Sequence, residues 1–327
     1  MVKTNTMNYR FCGNSGLQLP FISLGLWHNF GDVDDFAVAT DMILYAFEQG
    51  ITHFDLANNY GPPPGSAEVN FGKILKTHLQ SHRDEMIISS KAGHRMWDGP
   101  YGDGGSRKSI LAGLDQSLKR TGLDYFDIFY SHRYDPLTPL EETVQTLIDI
   151  VKQGKALYAG LSKYPADKAR QAYKMMEAQH VRCLIYQDKY NLLHRKPEEE
   201  LMPLNTSFGI GFIVFSPLAQ GLLTDKYLYG IPDNSRAAKS HGFLQREQVT
   251  QAIISKVSKL NTLAGSRGQT LAEMSLAWLL NRKEVTSVIV GASSVKQLQD
   301  NLNAVQNTRF TEKELMQIDD ILKWVND

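Results

Sequence analysis

The chain has 327 residues, 42% of them hydrophobic, and its 35 basic and 35 acidic side chains give a formal net charge of zero. A neutral chain with scattered basic residues does not favour nucleic acid or an acidic membrane as a partner. It contains no apolar run of about 18 residues that would span a bilayer. Its polar first ten residues lack the apolar core of a signal peptide. We therefore expect a soluble cytoplasmic protein without a nucleic-acid or membrane partner.

The two cysteines, Cys12 and Cys183, are not arranged in a CxxC motif. This spacing argues against a zinc site and against a disulfide framework. We predict two buried free thiols and no metal site.

Short apolar runs alternate with amphipathic segments along the chain. Residues 9–19, centred on Gly13-Asn14-Ser15-Gly16, predict a β-hairpin. Strands are predicted over residues 21–27, 51–57, 86–90, 126–130, 156–162, 183–187, 211–215 and 287–290. Helices are predicted over residues 33–49, 66–79 with Ser66 as its N-cap, 106–120, 140–152, 166–179, 198–207, 249–264, 271–280, 295–305 and 311–325.

This order of elements amounts to eight strand–helix units. Alternating units of this kind imply parallel strands with helical crossovers, and eight of them favour a closed (β/α)8 barrel. An open doubly wound sheet is the alternative, but the first strand leads into Gly25-Leu26-Trp27 and not into a G-x-G-x-x-G turn. Because no Pro- or Ser-rich linker divides the chain, we predict a single domain over residues 1–327, with an N-terminal hairpin and a C-terminal helix.

Function in such a barrel lies at the C-terminal ends of the strands. Asp55 ends the second predicted strand, Tyr60 follows it, and Lys91 and His132 end the third and fourth strands. Tyr60 would donate a proton to a carbonyl oxygen, Lys91 oriented by Asp55 would favour the phenolate, and His132 would hydrogen bond to the substrate oxygen. Each residue alone has an ordinary structural explanation, but together they predict a proton-transfer site.

The same residues resemble a known family, the aldo-keto reductases, over about residues 8–325. The likeness is carried by Asp55, Lys91, His132 and the motifs Asn59-Tyr60-Gly61 and Ser66-Ala67-Glu68. Three further segments are similar to the bacterial L-glyceraldehyde 3-phosphate reductase group, which lies near the potassium-channel β subunits: residues 59–66, 131–133 and 217–227.

The resemblance implies a (β/α)8 barrel that binds NADP(H), with Asp55, Tyr60, Lys91 and His132 as catalytic residues and Tyr60 as proton donor. The residues that it implies for cofactor binding are Trp27, Asp55, Ser162, Gln187, Ser216, Leu218, Gln220, Gly221, Lys226, Arg236, Gly291, Ser293, Gln297, Asp300 and Asn301.

The resemblance places Lys226 and Arg236 near the adenosine phosphate, where they would supply the cations that a 2′-phosphate needs. Without the resemblance, ordinary solvated charges are the alternative explanation of both. Residues 291–294 allow the backbone to approach a phosphate, and Ser294 can cap the helix that follows. The chain departs from the family at Lys163, where Asn is frequent, and at Asp300, where Glu is frequent.

Loops after the strands would form the substrate pocket, with Arg133 meeting an anionic group. The substrate residues implied are Trp27, Tyr60, Trp97, His132 and Arg133. The predicted function is NADPH-dependent reduction of small aldehydes, such as L-glyceraldehyde 3-phosphate or methylglyoxal, by a homo-oligomer, a tetramer or octamer by resemblance. Two alternatives stay open: a cofactor-sensing regulatory subunit like the channel β subunits, and an alcohol-oxidising dehydrogenase.

Overall fold

The computed structural model describes residues 7–232, 237 and 244–323. It begins with an antiparallel hairpin of β1 (Tyr9–Phe11) and β2 (Gln18–Pro20), which confirms the predicted hairpin. At its turn Gly13 has a φ of 55°, and a Cβ there would lie 2.1 Å from the Gly209 carbonyl oxygen. Glycine alone tolerates both this left-handed φ and this close contact. It therefore allows the turn to pack against Gly209.

Eight parallel strands close a barrel, in the order β10-β3-β4-β5-β6-β7-β8-β9. The predicted (β/α)8 barrel is therefore confirmed. Its strands are β3 (Ile22–Gly25), β4 (His53–Asp55), β5 (Ile87–Ala92), β6 (Phe126–Ser131), β7 (Ala156–Ser162), β8 (Cys183–Lys189), β9 (Gly211–Phe215) and β10 (Val285–Val290).

Helices surround the barrel because parallel strands need crossovers that cover the sheet. They are α1 (Phe36–Glu48), α2 (Ser66–Ile74), α3 (Arg107–Thr121), α4 (Leu140–Lys152), α5 (Ala166–Ala178), α6 (Leu201–Phe208), α7 (Gln251–Ser266), α8 (Leu271–Asn281), α9 (Val295–Leu302) and α10 (Glu312–Lys323). Of the helices in the part of the chain described, none has the length and apolar composition of a membrane span.

The hairpin fills one end of the barrel. Cys12 and Leu19 are completely buried and form an apolar cluster with inward-facing residues of the strands, among them Ile185 and Ile213. The cysteine thiols are free and buried, as predicted. Because the hairpin covers the N-terminal ends of the strands, the C-terminal ends are left for a site.

One predicted cap is wrong. Gly65, with a φ of 91°, precedes α2, and no side chain caps the helix. Ser66 is the first helical residue, and its hydroxyl donates instead to the Pro63 carbonyl oxygen at 2.7 Å. After α2 the chain continues as a π-helical turn, Leu75–Leu79, so the single helix predicted over residues 66–79 has two parts.

Candidate active site

A buried ion pair lies at the C-terminal ends of the neighbouring strands β4 and β5. Lys91 Nζ donates to Asp55 Oδ2 at 2.7 Å and to the Leu56 carbonyl oxygen at 2.6 Å. The two side chains are 0% and 2% exposed. Burial lowers the pKa of Lys91, and the charge of Asp55 opposes that shift. Each charge therefore depends on the other for its stability in the barrel.

The second oxygen of Asp55 is also occupied. Oδ1 accepts from Ser89 Oγ at 2.8 Å and from Gln187 Nε2 at 3.1 Å. Three side chains from two strands thus hold the carboxylate in one orientation.

Tyr60 lies on the loop after β4, close to this pair. Its ring centroid is 5.1 Å from Lys91 Nζ and 6.2 Å from the ring of Trp27. The backbone N–H groups of Gly65 and Ala67 donate to the Tyr60 carbonyl oxygen at 3.0 and 3.3 Å. The proline run beyond Gly61 therefore folds back onto the residue that carries the phenol.

The sequence led us to expect that Lys91 favours the anion of Tyr60. In the structure, the largest effects on the phenol favour its neutral form instead. Burial, and next the charge of Asp55, raise the pKa of Tyr60 well above its usual value. The phenol is consequently protonated at neutral pH, which is the form that a proton donor needs.

His132 follows β6 and packs edge-on against Tyr60, with ring centroids 6.0 Å apart. Burial lowers the pKa of His132 well below its usual value, and Lys91 and His94 lower it further. The imidazole is therefore neutral. Its Nδ1 is buried and has no hydrogen-bond partner among the residues described.

His94 is a further residue that the sequence analysis missed. Its ring lies 4.3 Å from that of His132, in a T-shaped arrangement. Burial, followed by the charges of Lys163 and Arg133, lowers the pKa of His94 to about 4. Its position just beyond Lys91 on the loop after β5 was the signal that could have identified it.

Two residues expected at the cofactor have orphaned polar atoms. Ser162 ends β7 in register with Gln187 of β8, and its Oγ is buried without a partner in the described residues. Asn301, on α9, has a buried Nδ2 in the same condition. A buried polar group without a hydrogen bond is costly, so each atom is able to bond to a water molecule or a ligand.

The loop after β9 has an unusual backbone. Ser216, Ala219 and Gln220 have φ values of 53°, 47° and 62°, and Gly221 follows with 99°. Left-handed residues other than glycine are uncommon, and they cluster at ligand clamps. Leu218, also expected at the cofactor, lies within this loop and is partly buried.

The turn before α9 is built around three polar side chains. Ser294 caps the helix by accepting from the Gln297 N–H at 3.2 Å, as predicted. Gln297 Oε1 in turn accepts from the Ser293 N–H and hydroxyl at 2.8 and 3.0 Å. Asp300 accepts from Lys296 Nζ at 2.6 Å, and Gly291 faces open space.

Two cationic side chains were expected near the 2′-phosphate, and the structure describes one of them. Lys226 is exposed, in a 3₁₀ turn capped by Thr224. Arg236 lies outside the described residues.

The expected substrate residues all lie on loops that follow barrel strands. Trp27 stacks on His28, with centroids 4.2 Å apart, and Trp97 is exposed on the glycine-rich loop after β5. Arg133 donates to Asp103 Oδ1 at 2.8 Å. Because this pair is partly exposed, it contributes only about 0–1 kcal/mol to stability.

One known protein family matches most of the chain. The sequence model described as the aldo/keto reductase family matches residues 21–323. The chain belongs to the aldo/keto reductase family. This confirms the resemblance predicted from the sequence, and membership of the aldo/keto reductases supports an oxidoreductase with a nicotinamide cofactor.

The chain is similar to proteins of at least two kinds. The chain is 52% identical over 318 residues to the L-glyceraldehyde 3-phosphate reductase of Escherichia coli, which covers 96% of this chain and 92% of that protein. It is 37% identical over 305 residues to a probable voltage-gated potassium channel subunit beta of Arabidopsis thaliana, with 91% of each covered. A putative subunit of the same kind from Schizosaccharomyces pombe is 35% identical over 327 residues.

Proposed function

We propose that the chain is an NADPH-dependent reductase of small aldehydes, with Asp55, Tyr60, Lys91 and His132 as its catalytic residues. The observation that carries this proposal is the buried Asp55–Lys91 ion pair beside a protonated phenol and a neutral imidazole. This set of groups suits proton donation to a carbonyl oxygen.

The residues at the strand ends fit a nicotinamide dinucleotide. The orphaned Ser162 Oγ and Asn301 Nδ2 would find partners at its nicotinamide and adenine ends. The left-handed turns between Ser216 and Gly221 suit the backbone concavity that binds a pyrophosphate. When bound, the cofactor supplies a hydride from C4 of its nicotinamide. The full set proposed for binding is Trp27, Asp55, Ser162, Gln187, Ser216, Leu218, Gln220, Gly221, Lys226, Arg236, Gly291, Ser293, Gln297, Asp300 and Asn301.

The protein residues act on the carbonyl oxygen of the substrate. Tyr60 donates its phenolic proton as that oxygen gains negative charge. Lys91, whose Nζ lies 5.1 Å from the Tyr60 ring centroid, stabilises the phenolate that results. His132 is neutral, so it orients the oxygen by a hydrogen bond without competing to supply the proton.

Positive charge around the mouth of the site supports an aldehyde with an anionic group. Burial is the main cause of the lowered pKa values of His94 and His132, and the charges of Lys163 and Arg133 lower both further. We therefore propose L-glyceraldehyde 3-phosphate, the compound in the name of the E. coli relative, as a substrate, and methylglyoxal as a second, uncharged substrate. Trp27 and Trp97 would line the pocket beside Tyr60 and His132.

Steady-state kinetics with a panel of aldehydes, NADPH and NADH test the function. The proposal expects NADPH to be oxidised at a rate well above background with at least one small aldehyde. Absence of turnover with every aldehyde would instead favour the regulatory role, and NAD-dependent alcohol oxidation as the faster reaction would favour a dehydrogenase.

Cofactor preference gives a sharper prediction. Lys226→Ala should raise the KM for NADPH on the order of tenfold, because one charge-assisted contact to the 2′-phosphate is lost. The KM for NADH should be unchanged, since NADH has no such phosphate. An equal rise for both cofactors would contradict the assignment of Lys226.

The remaining sequence expectations stay proposals. We propose a single domain and a cytoplasmic homo-oligomer, tetrameric or octameric by resemblance, whose assembly sedimentation velocity would measure.

A further inference from the structure

The interior of the barrel carries polar side chains just below the Asp55–Lys91 pair. Ser23, His53, Ser89 and Ser287 are all 0% exposed. His53 precedes Asp55 by two positions on β4, and Ser89 precedes Lys91 by two on β5, so they share the inward face. Branched apolar residues usually fill this part of such a barrel.

These four side chains form one continuous chain of hydrogen bonds. Ser287 Oγ lies 2.6 Å from Ser23 Oγ, and Ser23 Oγ lies 2.9 Å from His53 Nδ1. His53 Nε2 lies 3.0 Å from Ser89 Oγ, which donates to Asp55 Oδ1 at 2.8 Å. The chain crosses the adjacent strands β10, β3, β4 and β5 and ends at the carboxylate.

The carboxylate fixes the direction of every bond. Asp55, paired with Lys91, only accepts, so the single hydroxyl proton of Ser89 points to Asp55. Ser89 must then accept from His53, which places the imidazole proton on Nε2.

The remaining bonds follow from that tautomer. His53 Nδ1 accepts from Ser23, and Ser23 accepts from Ser287. Ser287 could otherwise donate to the Phe21 carbonyl oxygen at 3.4 Å, but that would leave two oxygens 2.6 Å apart without a proton between them. Burial lowers the pKa of His53 to about 4, so it is neutral at pH 7.

We propose that this one-way chain positions Asp55 for catalysis, and that His53 is a positioning residue in its Nε2–H form. Ser89 holds Oδ1 and leaves Oδ2 directed at Lys91, whose charge stabilises the Tyr60 phenolate. Bonds that point the same way also strengthen one another. The kinetic part of this proposal rests on the proposed function, whereas the tautomer does not.

Nitrogen NMR of the protein labelled on histidine tests the direction of these hydrogen bonds, and it does not depend on enzymatic activity. The His53→Gln variant identifies the His53 signals among the nine histidines. At pH 7 the expected result is a protonated Nε2 and an unprotonated Nδ1. A protonated Nδ1, or a doubly protonated ring, would overturn the proposal.

Kinetics of paired variants test the positioning. Ser89→Ala removes the hydrogen bond to Asp55. In His53→Asn the shorter side chain can reach Ser23 but not Ser89, so the chain of hydrogen bonds is broken there. Each variant should therefore lower kcat on the order of tenfold and leave the KM for NADPH unchanged. His53→Gln keeps a donor near the Nε2 position and should retain most of kcat.

Ser90→Ala is the matched control. Ser90 is equally buried on β5 but donates to Glu68 Oε1 at 2.6 Å, away from Asp55. It should lose comparable stability and keep its kcat. If Ser89→Ala and Ser90→Ala gave the same kcat, or His53→Gln fell as far as His53→Asn, the chain would be structural only. If Tyr60→Phe kept native turnover, the proposed function would fail while the tautomer result would stand.

Discussion

Lys91 is completely buried, and its ammonium group is matched by the Asp55 carboxylate at 2.7 Å. Burial and the carboxylate act on the pKa of Lys91 in opposite directions. Removing either partner leaves an uncompensated charge inside the barrel, whereas removing both leaves none. Stability and catalysis therefore respond differently to the two kinds of substitution.

The Lys91→Met variant should lower the free energy of unfolding by about 3 kcal/mol, because it strands the Asp55 charge. It should also abolish turnover. Adding Asp55→Asn should restore most of the stability and none of the turnover. Urea unfolding and steady-state kinetics of the native protein and of these two variants measure both effects. A double variant as unstable as Lys91→Met would show that the stranded carboxylate is not the cause.

At the scale of single elements, the first turn of α9 affects both the stability of the helix and the proposed binding of the cofactor. Ser294 accepts from the Gln297 N–H, and the free N–H groups of such a turn favour an anion. A cap and a nearby charge can be varied separately here, since Ser, Asn and Asp all cap well.

Ser294→Asn should keep both the stability and the KM for NADPH. Ser294→Asp should also keep the cap, but its negative charge should raise the KM for NADPH several-fold by repelling the cofactor phosphates. Ser294→Ala should cost about 1 kcal/mol of stability. Thermal unfolding and cofactor titration separate these effects, and an unchanged KM in Ser294→Asp would place the phosphates elsewhere.

Element boundaries were predictable where local chemistry ends the element. The predicted bounds of α4 match because Pro139 precedes it and Gly154, with a φ of 73°, follows it. Ser66 was a misleading signal, since a left-handed Gly65 takes the position before α2. Strand β8 runs on to Lys189 because it pairs with β9 as far as Phe215, a contact that the local sequence does not contain.

At the scale of the whole molecule, the barrel brings distant residues together. Its closure made it predictable that polar strand ends would share one face. The partners were not predictable: Gln187 reaches Asp55 across 132 positions, and Ser23 meets Ser287 across 264. Alternation along each strand could predict inward-facing positions, but it could not predict which inward-facing side chains would bond.

Buried neutral histidines make the stability of the whole chain depend on pH. The pKa of His53 is about 4 in the fold, with burial as the main cause, Asp55 raising it and Lys91 lowering it. An unfolded histidine titrates at about 6.5. Between these values the unfolded chain binds the proton and the folded chain does not, so stability falls as pH falls.

The free energy of unfolding should therefore drop between about pH 6.5 and 4, by on the order of 1 kcal/mol per pH unit from His53 alone. His132, whose pKa is also lowered, adds to the same trend. In His53→Gln the slope of the free energy of unfolding against pH should be smaller by the contribution of one bound proton. Urea unfolding from pH 7 to 4 measures it, and identical slopes would mean that His53 is not neutral in the fold.

The central claim is that Tyr60 donates the proton, and single-turnover reduction by the Tyr60→Phe variant tests it most directly. The variant keeps the ring and loses only the acidic hydroxyl. Tyr173→Phe, which loses a hydroxyl bonded to Asn205 at 2.8 Å, is the control. Stopped-flow absorbance of NADPH should show a rate lowered by about 10²–10⁴-fold in Tyr60→Phe, with NADPH affinity retained and Tyr173→Phe near native. A near-native rate in Tyr60→Phe would contradict the account.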